Sequence, residues 1–509
     1  MTDQMERPRE FVYPPRPTAG VIGRFSGIDV AFFTVAVLLM VIGFRVLSEG
    51  WGYSVALWCV AALLALTPLP RPAGRSLTHF LRPALGAVRD KITGRGVYRG
   101  AAFAPDELLH RMDLPGDLAG LRMVSVPARD GVTRIGLIVD ESNKKRRTAT
   151  AAALTFSESM LTADEATRAI RMDGWESVLE SFCQRKSGIG RWQLMLRTAP
   201  DVVNQAARHL DTNASPMVSS GLALANARML VTGPAAAAER HEVYIVIEFD
   251  LEELAGEIER LDKHWSDDAI GAAVRDQLLE IEEDLRGEKI QSPGWLRPGQ
   301  YATLIRTQLD PDSLPLYDMT ADPRRDMDER LAGPAATERS WKFFRHDSAV
   351  SQTMWVHELP RRTVGAGWLR PVLTQTGVRR TVTLVAEPMD AITAQRQVQR
   401  QAINADSAVH FKASKQLFVS ARSRRESRAA QQQDEALSAG DGMFRYHMFV
   451  TVTAPDEAVL SRQVLAVRRR LTKAFCESVV LYGEQDQAFF AAALPLARGL
   501  TPLRRWAGV

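Results

Sequence analysis

The sequence predicts an α+β fold, with an amino-terminal transmembrane helical hairpin followed by two sheet-and-helix lobes. Three observations lead there. Two long apolar runs sit side by side near the amino terminus. Strand-like runs of β-branched and aromatic residues recur through the remainder, and helical stretches are interspersed among them. With 509 residues and roughly 150 per domain, the chain suffices for about three compact units. Lys and Arg total 64 against 60 Asp and Glu, a net of +4, which argues against a nucleic-acid coat and against a disordered acidic tail. An apolar fraction of 46% leaves ample material for a core. Cys59, Cys183 and Cys476 are far apart and no CxxC occurs, so neither a disulfide framework nor a cysteine zinc site is expected.

Residues 27–47 read GIDVAFFTVAVLLMVIGFRVL, with Asp29 and Arg45 near the ends. As a helix this run rises about 30 Å, the thickness of a bilayer's hydrocarbon core. Ser48, Glu49 and Gly50 follow. Then 51–67 reads WGYSVALWCVAALLALT, uncharged, with Trp51 and Tyr53 at the edge where amphipathic rings anchor. So short a connection makes a tight hairpin the simplest object. A cleaved signal peptide and a pair of buried core helices in a soluble protein are the alternatives, but no small-x-small cleavage site follows the first run, and apolar length and flanking charge agree on the hairpin. Arg7, Arg9, Arg16 and Arg24 precede the pair, and Arg71, Arg75, Arg82, Arg89, Lys91, Arg95 and Arg99 follow it. By the positive-inside rule both termini are cytoplasmic, and the protein is a multi-pass component of the cell membrane. Residues 1–26 are then a basic tail, 27–67 the hairpin, and 68–100 a basic amphipathic linker. That linker also suits anionic membrane lipid, at about 1 kcal/mol per cation near the surface.

Residues 101–340 form the first expected lobe. In it 121–127, 134–139 and 148–156 read as a meander, with Asp130-Gly131 as the turn between the first two. Thr162-Ala163-Asp164-Glu165 has the form of a capping box opening a helix to about 184. A strand at 192–197, a helical region over 201–231 and the strand HEVYIVIEF at 241–249 follow. The acidic helical region after them carries Glu252, Glu253, Glu257, Glu259, Glu280, Glu282 and Glu283. Proline-rich 287–338 reads as an irregular connection around one short helix.

Residues 341–509 form the second lobe, with strands expected at 353–359 and 378–387. Met389 to Leu437 contains neither Gly nor Pro. As one helix it would be about 75 Å long, which suggests a helical hairpin doubling back. A strand at 445–452, a helix at 456–475, a strand at 478–482 and a helix at 485–494 end the fold.

No GxxxxGK[ST] loop is present, and no Gly-Lys pair occurs anywhere, so these residues contain no P-loop motor. Gly188-Ile189-Gly190 and Gly94-Arg95-Gly96 lack the third glycine of a dinucleotide turn. GxSxG, HExxH and EF-hand patterns are missing, and the nine histidines show no i,i+4 pair. No catalytic residue, metal ligand or cofactor is expected. The acidic helical cluster could mimic a carboxylate metal site. It reads better as a solvated face, because its members occupy every side of the helix and no His or Asn completes a shell. Lys412, Lys415, Arg422, Arg424, Arg425 and Arg428 form the opposite cluster, with Phe411 and Phe418 interleaved. DNA backbone is one possible ligand. A partner-facing helix is the preferred reading, because the aromatic residues are needed as core.

Several blocks carry a family likeness. An arginine-flanked apolar hairpin precedes LRPALGAVRDKITGRGVYRG, and RMDGWESVLESFCQRKSGIGRWQLMLRTAPD follows. Later come WVHELPRRTVGAGWLRPVLTQTGVRRTVTLVAEPM, FRYHMFVTVTAPDEAVL and LYGEQDQAFFAAALPLARGL. In this order they resemble an actinobacterial family of membrane proteins encoded with conjugation and type IV secretion genes, sometimes labelled type VI or type VII secretion proteins. The hairpin is also similar to the small two-span subunit of type IV secretion systems. The soluble part is similar to the amino-terminal half of their traffic ATPase, where a segment like QDQAFFAAALPLARGL precedes the motor. The resemblance implies a non-catalytic scaffold or adaptor that docks a separate P-loop secretion ATPase and other subunits of a multi-subunit complex. It carries over no catalytic residues. One alternative is an EccE-like core subunit of a type VII secretion complex; another is a membrane-bound enzyme whose site no motif reveals.

Overall fold

The computed structural model describes residue 13 and residues 27–48, 50–70, 77–93, 96–100, 112–143, 146–155, 164–183, 188–200, 210–211, 221–232, 239–319, 327–365, 367–414 and 421–499. Arg7, Arg9, Arg16, Arg24, Glu49, Arg71, Arg75, Arg95, Thr162, Ala163 and Lys415 lie outside them, as does most of the helical reading over 201–220.

Among the described residues one helix, Gly27–Ser48, is long and apolar enough to cross a membrane; its mean hydropathy is 2.5 and only 11% of its apolar window is buried. Helix Trp51–Leu66 is apolar but shorter, rising about 24 Å against roughly 30 Å of hydrocarbon. It folds back onto the first helix. Trp58 Nε1 donates to Met40 O at 3.3 Å, and its ring packs on Phe44. A third helix, Thr78–Thr93, is tied to the start of the first, where Thr78 Oγ1 donates to Asp29 Oδ1 at 2.5 Å.

The remaining chain builds a 12-stranded sheet in which every pairing is antiparallel. Its strands are β1 Val97–Arg99, β2 Leu121–Pro127, β3 Arg134–Asp140, β4 Thr148–Thr155, β5 Ile189–Pro200 and β6 Glu239–Asp250, then β7 Ala336–Arg339, β8 Phe344–His346, β9 Ala349–Glu358, β10 Arg380–Met389, β11 Met443–Ala454 and β12 Glu477–Val480. They lie in the order β1-β7-β8-β9-β11-β10-β5-β6-β4-β3-β2, with β12 also on β9.

Apart from β1 that order is a palindrome about the β5–β10 seam. Each half runs as two edge strands and a third strand, crosses to the seam strand, and returns between them. In both halves a long helix after these strands, Asp267–Gly287 (preceded by the short Ala255–Leu261) or Glu457–Lys473, is followed by a short segment back on the third strand: Trp295 bridging Ala153, or β12 on β9. A last helix, Pro298–Leu309 or Gln485–Ala492, then crosses the opposite face. The chain therefore contains one connectivity twice, related by a pseudo-twofold axis at the seam. The two halves meet edge to edge in a single sheet, from Arg380↔Thr198 to Ala386↔Trp192.

Alternation decides what each face buries. On one face Ala149, Ala151, Ile245, Ile247 and Phe249 pack under helix Asp267–Gly287. Its Ile270, Val274, Leu278, Ile281 and Leu285 recur at helical spacing. Gly271 lets that helix approach β2, since a Cβ there would overlap Val126 Cγ1. On the other face Met195, Tyr244 and Val246 pack under Tyr301, Ile305, Phe489 and Leu494.

The β2–β3 turn forms as its sequence requires. Asp130 Oδ1 accepts from the Val132 and Thr133 N–H groups, and Gly131 takes φ +69°. Two expectations change. The helix after β4 is capped by Asp164, which accepts from Thr167 N at 2.9 Å, and spans Glu165–Ser181. The supposedly irregular 287–338 contains the buried core helix Pro298–Leu309, opened by Pro298 at its first position and by Gln300 accepting from Arg297 N.

Candidate functional site

The long Gly- and Pro-free stretch folds into two helices, Ala391–Ser414 and Ala421–Ala439, packed along one another. Asp390 Oδ1 caps the first by accepting from Thr393 N at 3.0 Å. Ala394 and Val398, one turn apart, are buried, whereas Ile403 is 64% exposed. Lys412 lies near the end of the first helix, and Arg422, Arg424, Arg425 and Arg428 lie in the opening turns of the second. These five positions thus fall towards the end of the first helix and the start of the second. Arg428 is the one whose side chain is described, and it is exposed.

Most other ionisable clusters are internally satisfied. Arg191 on β5 is 7% exposed and reaches Glu387 on β10 at 2.8 Å and Glu248 on β6 at 3.6 Å. Arg146 adds a 2.9 Å bond to Glu248. Burial pushes the Glu248 carboxyl above its ordinary range, and the two arginines oppose that shift. This network staples the seam. In the acidic helical region Glu252 pairs with Arg147, Glu283 with Arg129 and Glu282 with Arg286. These are surface ion pairs, as a solvated face requires.

Ser351 and His346 have the geometry of a nucleophile and base, Oγ to Nε2 being 2.8 Å. Their surroundings give another role. His346 Nδ1 is 2.6 Å from the Leu309 carbonyl, which can only accept, so Nδ1 carries the proton and Nε2 accepts from Ser351. Both side chains are wholly buried, with no space for a substrate. Burial lowers the His346 pKa to about 4, partly offset by the Leu309 bond. This histidine is a core residue joining the two halves.

His357, Glu358 and Glu477 place their ligand atoms within 4.8 Å of one another, as a metal site would. Arg361 already occupies the group, at 2.5 Å from Glu358 and 3.3 Å from Glu477. A guanidinium on both carboxylates makes this a salt-bridge cluster.

One arrangement escaped sequence reasoning. A cleft of about 530 Å³ opens between the β9–β10 loop and the last turn of helix Glu457–Lys473. Arg362, Trp368 and Arg370 line it from the loop, and Arg470, Lys473 and Phe475 from the helix end. No sequence motif links them, because they come from segments about a hundred residues apart. Only the unusual exposed aromatic at a helix terminus offered a signal.

Among the described residues the architecture is that of an α+β protein with one candidate membrane helix, an antiparallel sheet of repeated connectivity and a packed helical pair. No protein-family model matches the chain, and no curated protein matches it.

Proposed function

We propose that this protein is a non-catalytic, membrane-anchored scaffold of a conjugative, type IV-like secretion apparatus. It docks a separate traffic ATPase within a multi-subunit complex, and its two apolar helices span the membrane as a pair with both termini cytoplasmic. One contact carries the anchoring. Tyr13, which precedes the apolar pair, packs on Trp368 with ring centroids 5.5 Å apart. A contact between chain before and after the pair supports placing both on one side of the membrane. Further support comes from helix Thr78–Thr93, whose Leu85, Val88 and Ile92 are 69%, 56% and 79% exposed along one stripe. A stripe of this kind, tethered to Asp29 at the start of the first apolar helix, suits the headgroup boundary. The docking role is supported by the basic positions on the packed helical pair and by the block resemblance to secretion components.

The test is capture of the full chain from native membranes with cross-linking. A P-loop secretion ATPase should co-purify. Arg422→Glu, Arg424→Glu, Arg425→Glu and Arg428→Glu together should reduce its recovery without altering membrane insertion, since charges at a docking surface set association rate and register. Undiminished recovery with loss of DNA binding would refute the partner assignment. Reporter fusions at Met1 and Val509 should both register cytoplasm, and one periplasmic signal would overturn the topology.

A further inference from the structure

We propose that the cleft between the β9–β10 loop and the end of helix Glu457–Lys473 binds a phosphate-bearing anion. Arg362, Arg370, Arg470 and Lys473 converge on it. Among the described residues none of these four has a carboxylate at ion-pair distance. The contrast with Arg361 is close at hand, since that neighbour holds Glu358 and Glu477. Basic residues at a helix carboxy terminus are ordinarily explained by the helix dipole. That accounts for Arg470 and Lys473. It does not account for Arg362 and Arg370, which another segment brings to the same space. Four like charges around one cleft repel one another, and an anion between them removes the repulsion.

The aromatic wall points the same way. Helix Glu457–Lys473 closes with Phe475 N–H donating to Thr472 O and Cys476 N–H donating to Leu471 O. This closure places Phe475 at the left-handed position, φ +60°, which ordinarily takes glycine. Here it carries a phenyl ring that is 51% exposed. The Arg362 guanidinium carbon lies 3.8 Å from the centre of that ring. Stacking holds the guanidinium plane in place while its N–H edge stays free, a preorganised fork for phosphate oxygens. Lys473 adds a mobile point charge. Trp368 closes the side of the cleft and also carries Tyr13, so the site lies beside the tail leading to the membrane helices. The recognisable chemistry is a phosphate or polyphosphate group, whether from a soluble nucleoside phosphate or from a lipid headgroup.

The experiment uses the full chain in phosphatidylcholine nanodiscs titrated calorimetrically with inorganic pyrophosphate. Saturable binding is expected, weakening with added salt. Arg470→Glu with Lys473→Glu should lower affinity about tenfold or more, and Arg362→Gln or Arg370→Gln several-fold. All four side chains are at the surface, and tryptophan fluorescence checks that each variant stays folded. Arg468→Glu, an exposed change on the same helix outside the cleft, should leave affinity unchanged. Absence of saturable binding, or equal losses in the Arg468 control, overturns the proposal. Repeating the titration in discs doped with phosphatidylglycerol separates the two sources. Competition by the doped lipid assigns the site to a headgroup, and undisturbed pyrophosphate binding assigns it to a soluble ligand.

Discussion

Lowering the pH should destabilise the fold through His346, by an amount the structure sets. The unfolded imidazole takes up its proton near pH 6.5, whereas the buried ring resists until about pH 4. Stability tied to this group is therefore complete above pH 6.5 and is lost as pH falls from 6.5 towards 4. Each pH unit within that window costs about 1.4 kcal/mol, so acidification from neutrality to pH 5 removes about 2 kcal/mol. The assay is urea unfolding followed by tryptophan fluorescence at neutral pH and at pH 5, for wild type and His346→Gln. Glutamine retains a donor and an acceptor but cannot titrate. Wild type should lose about 2 kcal/mol more than the variant on acidification. Glu248 and Asp486, whose pKa values burial raises, act in the opposite sense and gain stability as pH falls. They are common to both proteins and cancel in the comparison. Equal acid losses in the two proteins would refute the account of His346 as a buried neutral ring.

Two further predictions concern packing. Arg191→Leu leaves Glu248 and Glu387 with less counter-charge at the seam. It should lower unfolding free energy by about 3–5 kcal/mol, measured by chemical denaturation. Gly271→Leu forces helix Asp267–Gly287 away from Val126 and should cost at least about 1–3 kcal/mol, seen as a lower thermal midpoint.

Strand positions were legible wherever alternation ran between clear turn residues. The Asp130-Gly131 hairpin and HEVYIVIEF are recovered almost to the residue, since runs of β-branched and apolar residues specify them. The Ala391–Ala439 pair was legible for the opposite reason, the lack of any helix breaker. Helix Pro298–Leu309 was legible only as one short helix in a proline-rich connection; its proline occupies the first helical position, where no donor is needed. The capping residue shifted from Thr162 to Asp164 because both fit the local pattern, and only the bond to Thr167 distinguishes them. The mirrored strand order was not legible, because nothing local records which strand edges meet. For the same reason the cleft cations could not be grouped beforehand. Arg362 and Arg470 become neighbours only through the fold.

The segment following β12 has a consequence for how the chain is made. Gln193 on β5 donates to Leu494 O and accepts from Ala497 N. Thr383 Oγ1 donates to Ala492 O, and Tyr301 Oη to Pro495 O. The partners of Gln193 are thus separated from it by 301 and 304 residues. A ribosome adding about 5–20 residues per second needs roughly 15–60 s to cover that interval. Throughout it, Met195, Tyr244 and Val246 await Phe489 and Leu494. The nascent first half must therefore keep an apolar sheet face and an open β5 edge shielded until its last partners emerge. Synthesis beside the membrane, with helix Gly27–Ser48 already inserted, would hold that exposed surface away from other nascent copies.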